Sequence, residues 1–125
     1  MHFQIPPFAQ DKLICVVQGV ILDVVVDIRK GSSYFGQHVS AVISTEEWNQ
    51  ILVPTGFAHG LLTLEENTTV IYKVSNDYSP AHDKGLLWND PDLGIDWQVK
   101  EDEVLLSDKD RQQPRLKDMP DYFTY

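Results

Sequence analysis

The run VILDVVVDI, residues 20–28, is the stretch that decides the fold of this chain. Val and Ile dominate it, and side chains branched at Cβ favour an extended strand over a helix. Its apolar residues do not alternate with polar ones, so both faces of the predicted strand carry apolar side chains. We therefore expect a strand covered on both sides, with a partner subunit as one candidate for the second cover.

Shorter apolar runs surround this strand, and turn-forming residues separate them. Gly19 directly precedes it, which predicts a hairpin between the run at residues 13–17 and the run at residues 20–28. Helix is expected only as single turns at residues 45–48 and 107–110. The number and spacing of the runs favour an all-β sandwich or barrel. The remaining strands are predicted at residues 39–44, 51–53, 60–64, 68–75 and 86–88.

Composition restricts the class of protein further. The 125 residues fit a single domain, with 42% hydrophobic and 23% charged residues. The net charge of −9 argues against nucleic-acid binding, and no apolar stretch approaches the ~20 residues that a membrane span requires. One cysteine allows no internal disulfide, and the first residues lack the pattern of a signal peptide. We therefore expect a cytoplasmic protein without a membrane or nucleic-acid partner.

Residues 115–125 form a distinct C-terminal tail. They are polar, and they end in three aromatic residues, Tyr122, Phe123 and Tyr125. Such a tail either frays or docks onto the domain through its aromatic side chains.

Several residues could carry chemistry, but their spacing alone does not select among them. His59 lies in PTGFAHG, which suits a turn histidine as well as one that contacts a ligand. Tyr72, on an apolar strand, suits the core as well as a catalytic role. Since no two histidines have the H-x-H spacing common in metal-binding barrels, no metal site is predicted. The four histidines are His2, His38, His59 and His82.

An ordered set of motifs goes further than composition. From residue 2 to about residue 114 the chain resembles the dTDP-4-dehydrorhamnose 3,5-epimerase family. The resemblance implies a cupin-like β-jelly roll (a double-stranded β-helix), a homodimer, a dTDP-4-keto-6-deoxy sugar as substrate, and no cofactor. The motifs are HFQ (2–4), QDKL (10–13), DVVVDIRKGSSYFG (23–36), VPTGFAHGLLTL (53–64), YKVSNDYSP (72–80), GLLWNDPDLGIDW (85–97) and LLSDKD (105–110).

The resemblance also implies roles for individual residues. His2 of HFQ falls on the general base, and Asp110 of LLSDKD on the acid that pairs with it. Tyr72 falls on the general acid, and Lys12 on a lysine near the sugar's keto oxygen. Such a set suits removal of a proton next to a ketone, because a lysine ammonium stabilises charge that develops on the oxygen. The substrate-binding positions that the resemblance implies are Gln10, His59, Tyr78, Asp83 and Lys109.

One departure from the family pattern keeps alternatives open. Family members carry N-terminal strands and a phosphate-binding arginine before HFQ, and here Met1 stands at that point. We expect loss of an edge strand to weaken folding and loss of the arginine to weaken substrate affinity, since an arginine–phosphate contact contributes ~1.5–3 kcal/mol. The main hypothesis is epimerisation at C3, C5 or both in dTDP-L-rhamnose or related deoxysugar synthesis. One alternative is a relative that binds sugar nucleotides without catalysis, or a truncated, inactive epimerase. Another is a related isomerase that moves the keto group between C3 and C4.

Overall fold

The computed structural model describes residues 1–125 and contains two antiparallel sheets, one of five strands and one of three. The larger has the strand order β5-β3-β7-β1-β9, and the smaller has the order β6-β2-β8. A short parallel pair, β4 and β10, lies beside them. The strands are β1 (His2–Gln4), β2 (Lys12–Gln18), β3 (Val20–Asp27), β4 (Arg29–Lys30), β5 (His38–Ser44), β6 (Gln50–Val53), β7 (Phe57–Thr63), β8 (Thr69–Val74), β9 (Asp83–Gly85) and β10 (Phe123–Thr124).

Strand β3 is central, and both of its faces are buried, as its composition predicted. Ile21 and Val25 pack against the smaller sheet, in one core with Ile14 of β2 and Val53 of β6. The opposite face of β3 lies in a second core. Its members are Met1, Phe3, Leu22, Val24, Val26, Ile28, Ala58, Leu86, Leu93 and Trp97.

The second cover of β3 is the chain's own C-terminal part and not a partner subunit. After β9, the chain runs over the outer face of the larger sheet, and Trp97 donates a hydrogen bond from Nε1 to the Trp88 carbonyl (2.8 Å). The tail docks: Phe123 pairs with Arg29, and the Tyr125 ring lies 4.9 Å from the Arg29 guanidinium. Both alternating faces of β3 are therefore buried within one chain.

The hairpin predicted at Gly19 is wrong. Strand β2 pairs with β6 and β8, whereas β3 pairs with β5 and β7, so the chain crosses from one sheet to the other at this glycine. Gly19 has φ of +82°, and a Cβ there would lie 2.3 Å from Thr68 Oγ1. Glycine therefore permits a close crossing between the sheets rather than a two-strand turn.

Other boundaries also differ from the predictions. The strand predicted at residues 86–88 is wrong: strand β9 covers Asp83–Gly85 and ends where its ladder with β1 ends, at the pair His2–Gly85. Residues 45–48 form a turn without helix, in which the Ser44 hydroxyl accepts from Glu47 N. The turn at residues 107–110 is confirmed as helix α1 (Asp108–Arg111) with Ser107 as its N-cap. Strands β1, β4 and β10 were not predicted, since two or three residues show no period. No helix is both long and apolar enough to cross a bilayer.

Candidate active site

A pocket of about 420 Å³ opens at one end of the sandwich, between the two sheets. Residues of both sheets line it, and the C-terminal part of the chain closes one side. The structure thus gathers in one pocket five side chains that the sequence placed far apart. They are His2, Lys12, His59, Tyr72 and Asp110.

His2 and Asp110 form a hydrogen-bonded pair at this pocket. His2 lies in β1, held between β7 and β9, and its Nε2 is 2.6 Å from Asp110 Oδ1. Burial lowers the pKa of the His2 imidazole below its usual value, and the contact with Asp110 offsets only part of that effect. Because Asp110 accepts from Nε2, the other ring nitrogen, Nδ1, is left to act as a base.

Ser107 fixes the carboxylate of Asp110 from the start of helix α1. Its hydroxyl donates to Asp110 Oδ2 (2.8 Å) and accepts from the Asp110 backbone N–H (3.1 Å). Burial alone would raise the pKa of Asp110, but the hydrogen bonds from Ser107 and His2 outweigh it, so this pKa lies below its ordinary value. One hydroxyl therefore caps the helix and also leaves Oδ1 directed at His2.

Replacing Ser107 with alanine is expected to lower the free energy of unfolding by about 1 kcal/mol, the usual effect of losing an N-cap. Part of that loss depends on pH. Since the folded-state pKa of Asp110 is depressed, its contribution is present above pH 3.8 and disappears as the pH falls through the lower folded-state value. Urea unfolding at neutral and acidic pH measures both effects. Ser107→Thr, which keeps the hydroxyl, is the control and should remain near wild type.

Lys12 and Tyr72 come from the smaller sheet and line the opposite wall from His2. Burial lowers the pKa of Lys12, although the negative charges of Asp83 and Asp23 oppose this shift. Burial, together with the charge of Asp23, raises the pKa of Tyr72 to about 12. The pocket therefore holds a phenol that keeps its proton at neutral pH.

His59 lies on strand β7, not in the turn that its flanking glycines also suited. It is buried, and its Nε2 is 2.7 Å from Oδ2 of Asp23, a fully buried residue of β3. The rings of His59 and Tyr72 meet edge to face, with centroids 5.9 Å apart. Sequence reasoning missed Asp23, which it did not distinguish from 18 other acidic residues.

Asp83 connects several predicted substrate-binding residues at the rim. Its carboxylate pairs with Lys109, accepts from the Tyr78 hydroxyl at 3.4 Å, and has Oδ1 3.8 Å from His2 Nδ1. The ion pair with Asp83 raises the pKa of Lys109. These residues thus form one cluster beside the predicted base.

Gln10 does not join that cluster. Its side-chain amide donates to the Asn76 carbonyl (2.7 Å), which ties the loop before β2 to the loop after β8. Gln4, also missed, holds the same two loops: it donates to the carbonyls of Phe8 and Asp77 and accepts from Ser79 N. The only available signal for Gln4 was its place in the HFQ motif.

The remaining wall of the pocket is apolar. Trp88 and Trp97 contribute to it, with ring centroids 6.1 Å apart. The segment at residues 99–106 adds Val99, Val104, Leu105 and Leu106. A ligand here would meet ionisable groups on one side and hydrocarbon on the other. No group of three or more His, Cys, Asp or Glu side chains is placed to hold a metal ion.

Fold and pocket together define a cupin-like jelly roll with a histidine–carboxylate pair and a tyrosine at the open end of the sandwich. The family model described as dTDP-4-dehydrorhamnose 3,5-epimerase matches residues 1–118. A dTDP-4-dehydrorhamnose 3,5-epimerase of Sinorhizobium fredii is 48% identical over all 125 residues. The chain belongs to the dTDP-4-dehydrorhamnose 3,5-epimerase family, which confirms the resemblance in its motifs.

Solved structures agree with this assignment. The Legionella pneumophila epimerase in complex with dTDP-4-keto-L-rhamnose superposes with a TM-score of 0.93 at 37% identity, over 99% of this chain and 66% of that one. The Bacillus anthracis enzyme, with TDP and PPi bound, gives a TM-score of 0.87 at 52% identity, over 91% of this chain and 64% of that one. The chain spans 64% of the length of the Sinorhizobium relative.

Proposed function

We propose that this chain epimerises a dTDP-4-keto-6-deoxyhexose at C3, C5 or both, by removing a proton next to the C4 ketone. The observation that carries the proposal is the placement of His2 and Tyr72. His2 comes from the larger sheet and Tyr72 from the smaller, and both line one pocket. An epimerase needs this arrangement, since one group must remove a proton from one face of the sugar and another must return it from the opposite face.

In this proposal His2 is the base. Asp110 accepts the Nε2 proton and stabilises the imidazolium that forms when Nδ1 takes up a proton from carbon. Tyr72, protonated at neutral pH, delivers a proton to the opposite face of the resulting enolate. Proton removal and return leave the oxidation state of the sugar unchanged, and exchange with water resets the base and the acid between turnovers, so the cycle needs no redox group.

Lys12 and His59 are placed to act on the oxygens of the substrate. The Lys12 ammonium makes one long contact, 3.4 Å to the His2 carbonyl, so its donors are otherwise available to an incoming oxygen. In a partly dry pocket a fixed cation stabilises the negative charge that develops on the C4 oxygen. Lys109 and Tyr78, at the rim beside Asp83, are proposed to contact the nucleotide portion together with Gln10, and Lys109 supplies a local cation in a chain of net charge −9.

The deciding experiment is proton NMR of dTDP-4-keto-6-deoxyglucose in heavy water with this chain. Loss of the C3 and C5 proton signals, with appearance of the epimer, is the expected result. Loss at C3 alone would indicate a mono-epimerase or a keto-isomerase, and product analysis separates these two. If dTDP-sugar binds and neither carbon exchanges, the catalytic proposal is overturned in favour of a sugar-nucleotide-binding relative.

The dependence of kcat/KM on pH follows from the ionisable groups on the two walls of the pocket, His2 on one and Lys12 and Tyr72 on the other. The neutral form of His2 is the base, and its pKa is lowered, so the acid limb should lie below 6.5, the ordinary imidazole value. On the alkaline side, Lys12 loses its charge below 10.5, before Tyr72 ionises at about 12. Rates of exchange measured across the pH range in which the chain stays folded test both limbs. An acid limb above 6.5 would contradict the assignment of His2.

We propose further that the chain acts as a homodimer in the cytoplasm. The outer face of the smaller sheet supports the first part, because Val17, Leu52 and Ile71 expose 50%, 63% and 42% of their surface there. Leu52 pairs across the sheet with Leu13, and Ile71 with Cys15, so apolar pairs make up much of this face, with Gln50 and Lys73 among them. Light scattering during size-exclusion chromatography measures the mass, and a charged substitution at Leu52 should lower it to that of one chain.

A further inference from the structure

The most deeply buried charge in the chain has no role in the scheme above. Asp23 lies in the middle of β3 with no exposed surface. Its Oδ2 contacts His59 Nε2 at 2.7 Å, whereas Oδ1 is the one buried side-chain polar atom without a hydrogen-bond partner. A carboxylate buried with one oxygen unpaired is destabilising unless nearby groups compensate its charge.

The groups that face Asp23 all belong to the pocket. His59 lies on β7 opposite Val25, diagonal to Asp23, and Lys12 and Tyr72 on the smaller sheet both interact with the charge of Asp23. Its ladder neighbours, Ala41 on β5 and Leu61 on β7, are apolar and offer no compensation. The charge of Asp23 therefore acts on the pocket and on little else.

We propose that Asp23 is a positioning residue of this site: its buried carboxylate fixes the ring of His59 through Nε2 and provides the negative charge that the Lys12 ammonium and the Tyr72 phenol face. The parts played by Lys12 and Tyr72 rest on the proposed function. The contact between Asp23 and His59 is independent of the proposed function.

The first effect concerns the tautomer of His59. A carboxylate accepts hydrogen bonds and cannot donate them, so Nε2 must carry a proton in this contact. Nδ1 is then the ring nitrogen that is left for a ligand. A carboxylate that holds an imidazole in one tautomer in this way contributes to catalysis without touching the substrate.

The second effect concerns the protonation of the other two groups. Burial disfavours the Lys12 ammonium, and Asp23, together with Asp83, opposes that effect. The same charge makes ionisation of the Tyr72 phenol unfavourable, and with burial it raises the pKa of Tyr72 to about 12. One carboxylate thus keeps the cation and the acid of the site protonated together.

The tautomer can be measured without substrate. In the ¹⁵N-histidine-labelled chain, with His59 assigned by loss of its signal in His59→Gln, we expect a proton on Nε2, the nitrogen that faces Asp23. In Asp23→Asn the two tautomers should mix, because the asparagine amide can either donate or accept. A wild-type His59 protonated on Nδ1 alone, or identical tautomer populations in both chains, would overturn the proposal.

The charge is tested with a matched pair of substitutions. Asp27 lies on the same face of β3 and is also buried, but its partners are Arg29 and Ser32, outside the pocket. Asp23→Asn should shift ionisation of Tyr72, followed by ¹³Cζ-tyrosine NMR, to lower pH; the change in its acid constant should be below ~10-fold, because burial is the larger cause of the raised pKa. Asp27→Asn should leave the pH of Tyr72 ionisation unchanged, even if the substitution lowers stability. Asp23→Glu keeps the charge, so Tyr72 should ionise near the wild-type pH.

The turnover measurements separate this proposal from the proposed function. If the chain exchanges substrate protons, the alkaline limb of its pH profile should move to lower pH in Asp23→Asn and not in Asp27→Asn. If the chain exchanges none, the proposed function fails, while the two NMR measurements still decide the role of Asp23. A Tyr72 that ionises alike in wild type and in folded Asp23→Asn refutes that role whether or not the chain turns over.

Discussion

Replacing His2 with asparagine is expected to lower exchange of the C3 and C5 protons by ~10²- to 10⁴-fold, the range that a general base contributes. Asparagine still fits between β7 and β9 and can still donate to Asp110, so the pocket should persist. What it cannot do is accept a proton from carbon at neutral pH. The measurement is the rate of deuterium incorporation by proton NMR at saturating substrate, with circular dichroism to establish that the variant is folded.

The control for this variant is His38→Asn. His38 begins edge strand β5, on the far side of β3 from the pocket, and pairs with Val26. It should therefore exchange substrate protons at the wild-type rate. A His2→Asn chain that retains more than a tenth of the wild-type rate would refute the assignment of the base.

The pair with Asp110 makes the result more specific. If Asp110 acts through His2, the double variant His2→Asn, Asp110→Asn should be no slower than His2→Asn alone, because groups that act as a unit are not additive. If the rate loss of the double variant equals the product of the two single losses, Asp110 contributes to catalysis independently of His2.

Strand β3 shows how far the sequence could predict the fold. Its Val and Ile content predicted a strand, and its lack of alternation predicted two buried faces, and both predictions are confirmed. The identity of the second cover could not be predicted, because the covering segment around Trp97 follows β3 by some 70 residues and has no period of its own. Local pattern reports burial, but it does not report which distant segment supplies it.

The error at Gly19 has a different physical origin. Consecutive strands usually pair, so a glycine between two apolar runs favours a hairpin. Here the requirement at Gly19 comes from Thr68, on the approach to β8, which leaves no room for a Cβ. A turn and a close crossing both demand glycine, and the residue type alone does not distinguish them.

Site residues that belong to the ordered motifs could be predicted from the sequence. Asp23, whose importance comes from its burial, could not. The structure brings His2, Lys12, His59, Tyr72 and Asp110 into one pocket. Asp23 did carry a signal, since an acidic residue inside a β-branched run has to be buried and therefore needs a partner. The partner, His59, is 36 residues away in sequence, and only the β3–β7 register brings the two together.

Tyr72→Phe is expected to separate proton removal from inversion. The substitution deletes only the hydroxyl, whose pKa reflects burial and charge and no hydrogen bond, and the ring can keep its edge-to-face contact with His59. His2 can still remove a proton and, after exchange with solvent, return deuterium to the same face. We therefore expect deuterium to appear in substrate of unchanged configuration, while formation of the epimer falls by ~10²- to 10⁴-fold.

The measurement uses the coupling constants of the sugar ring protons, which report configuration, and the signal areas, which report deuterium. Tyr34→Phe is the control, since Tyr34 lies in an exposed turn outside the pocket and its change should alter neither quantity. If exchange and inversion fall together, Tyr72 also stabilises the enolate and is more than the acid. If inversion proceeds at the wild-type rate, the acid is another group of the same wall, and Lys12 becomes the candidate because its ammonium is the other proton donor there.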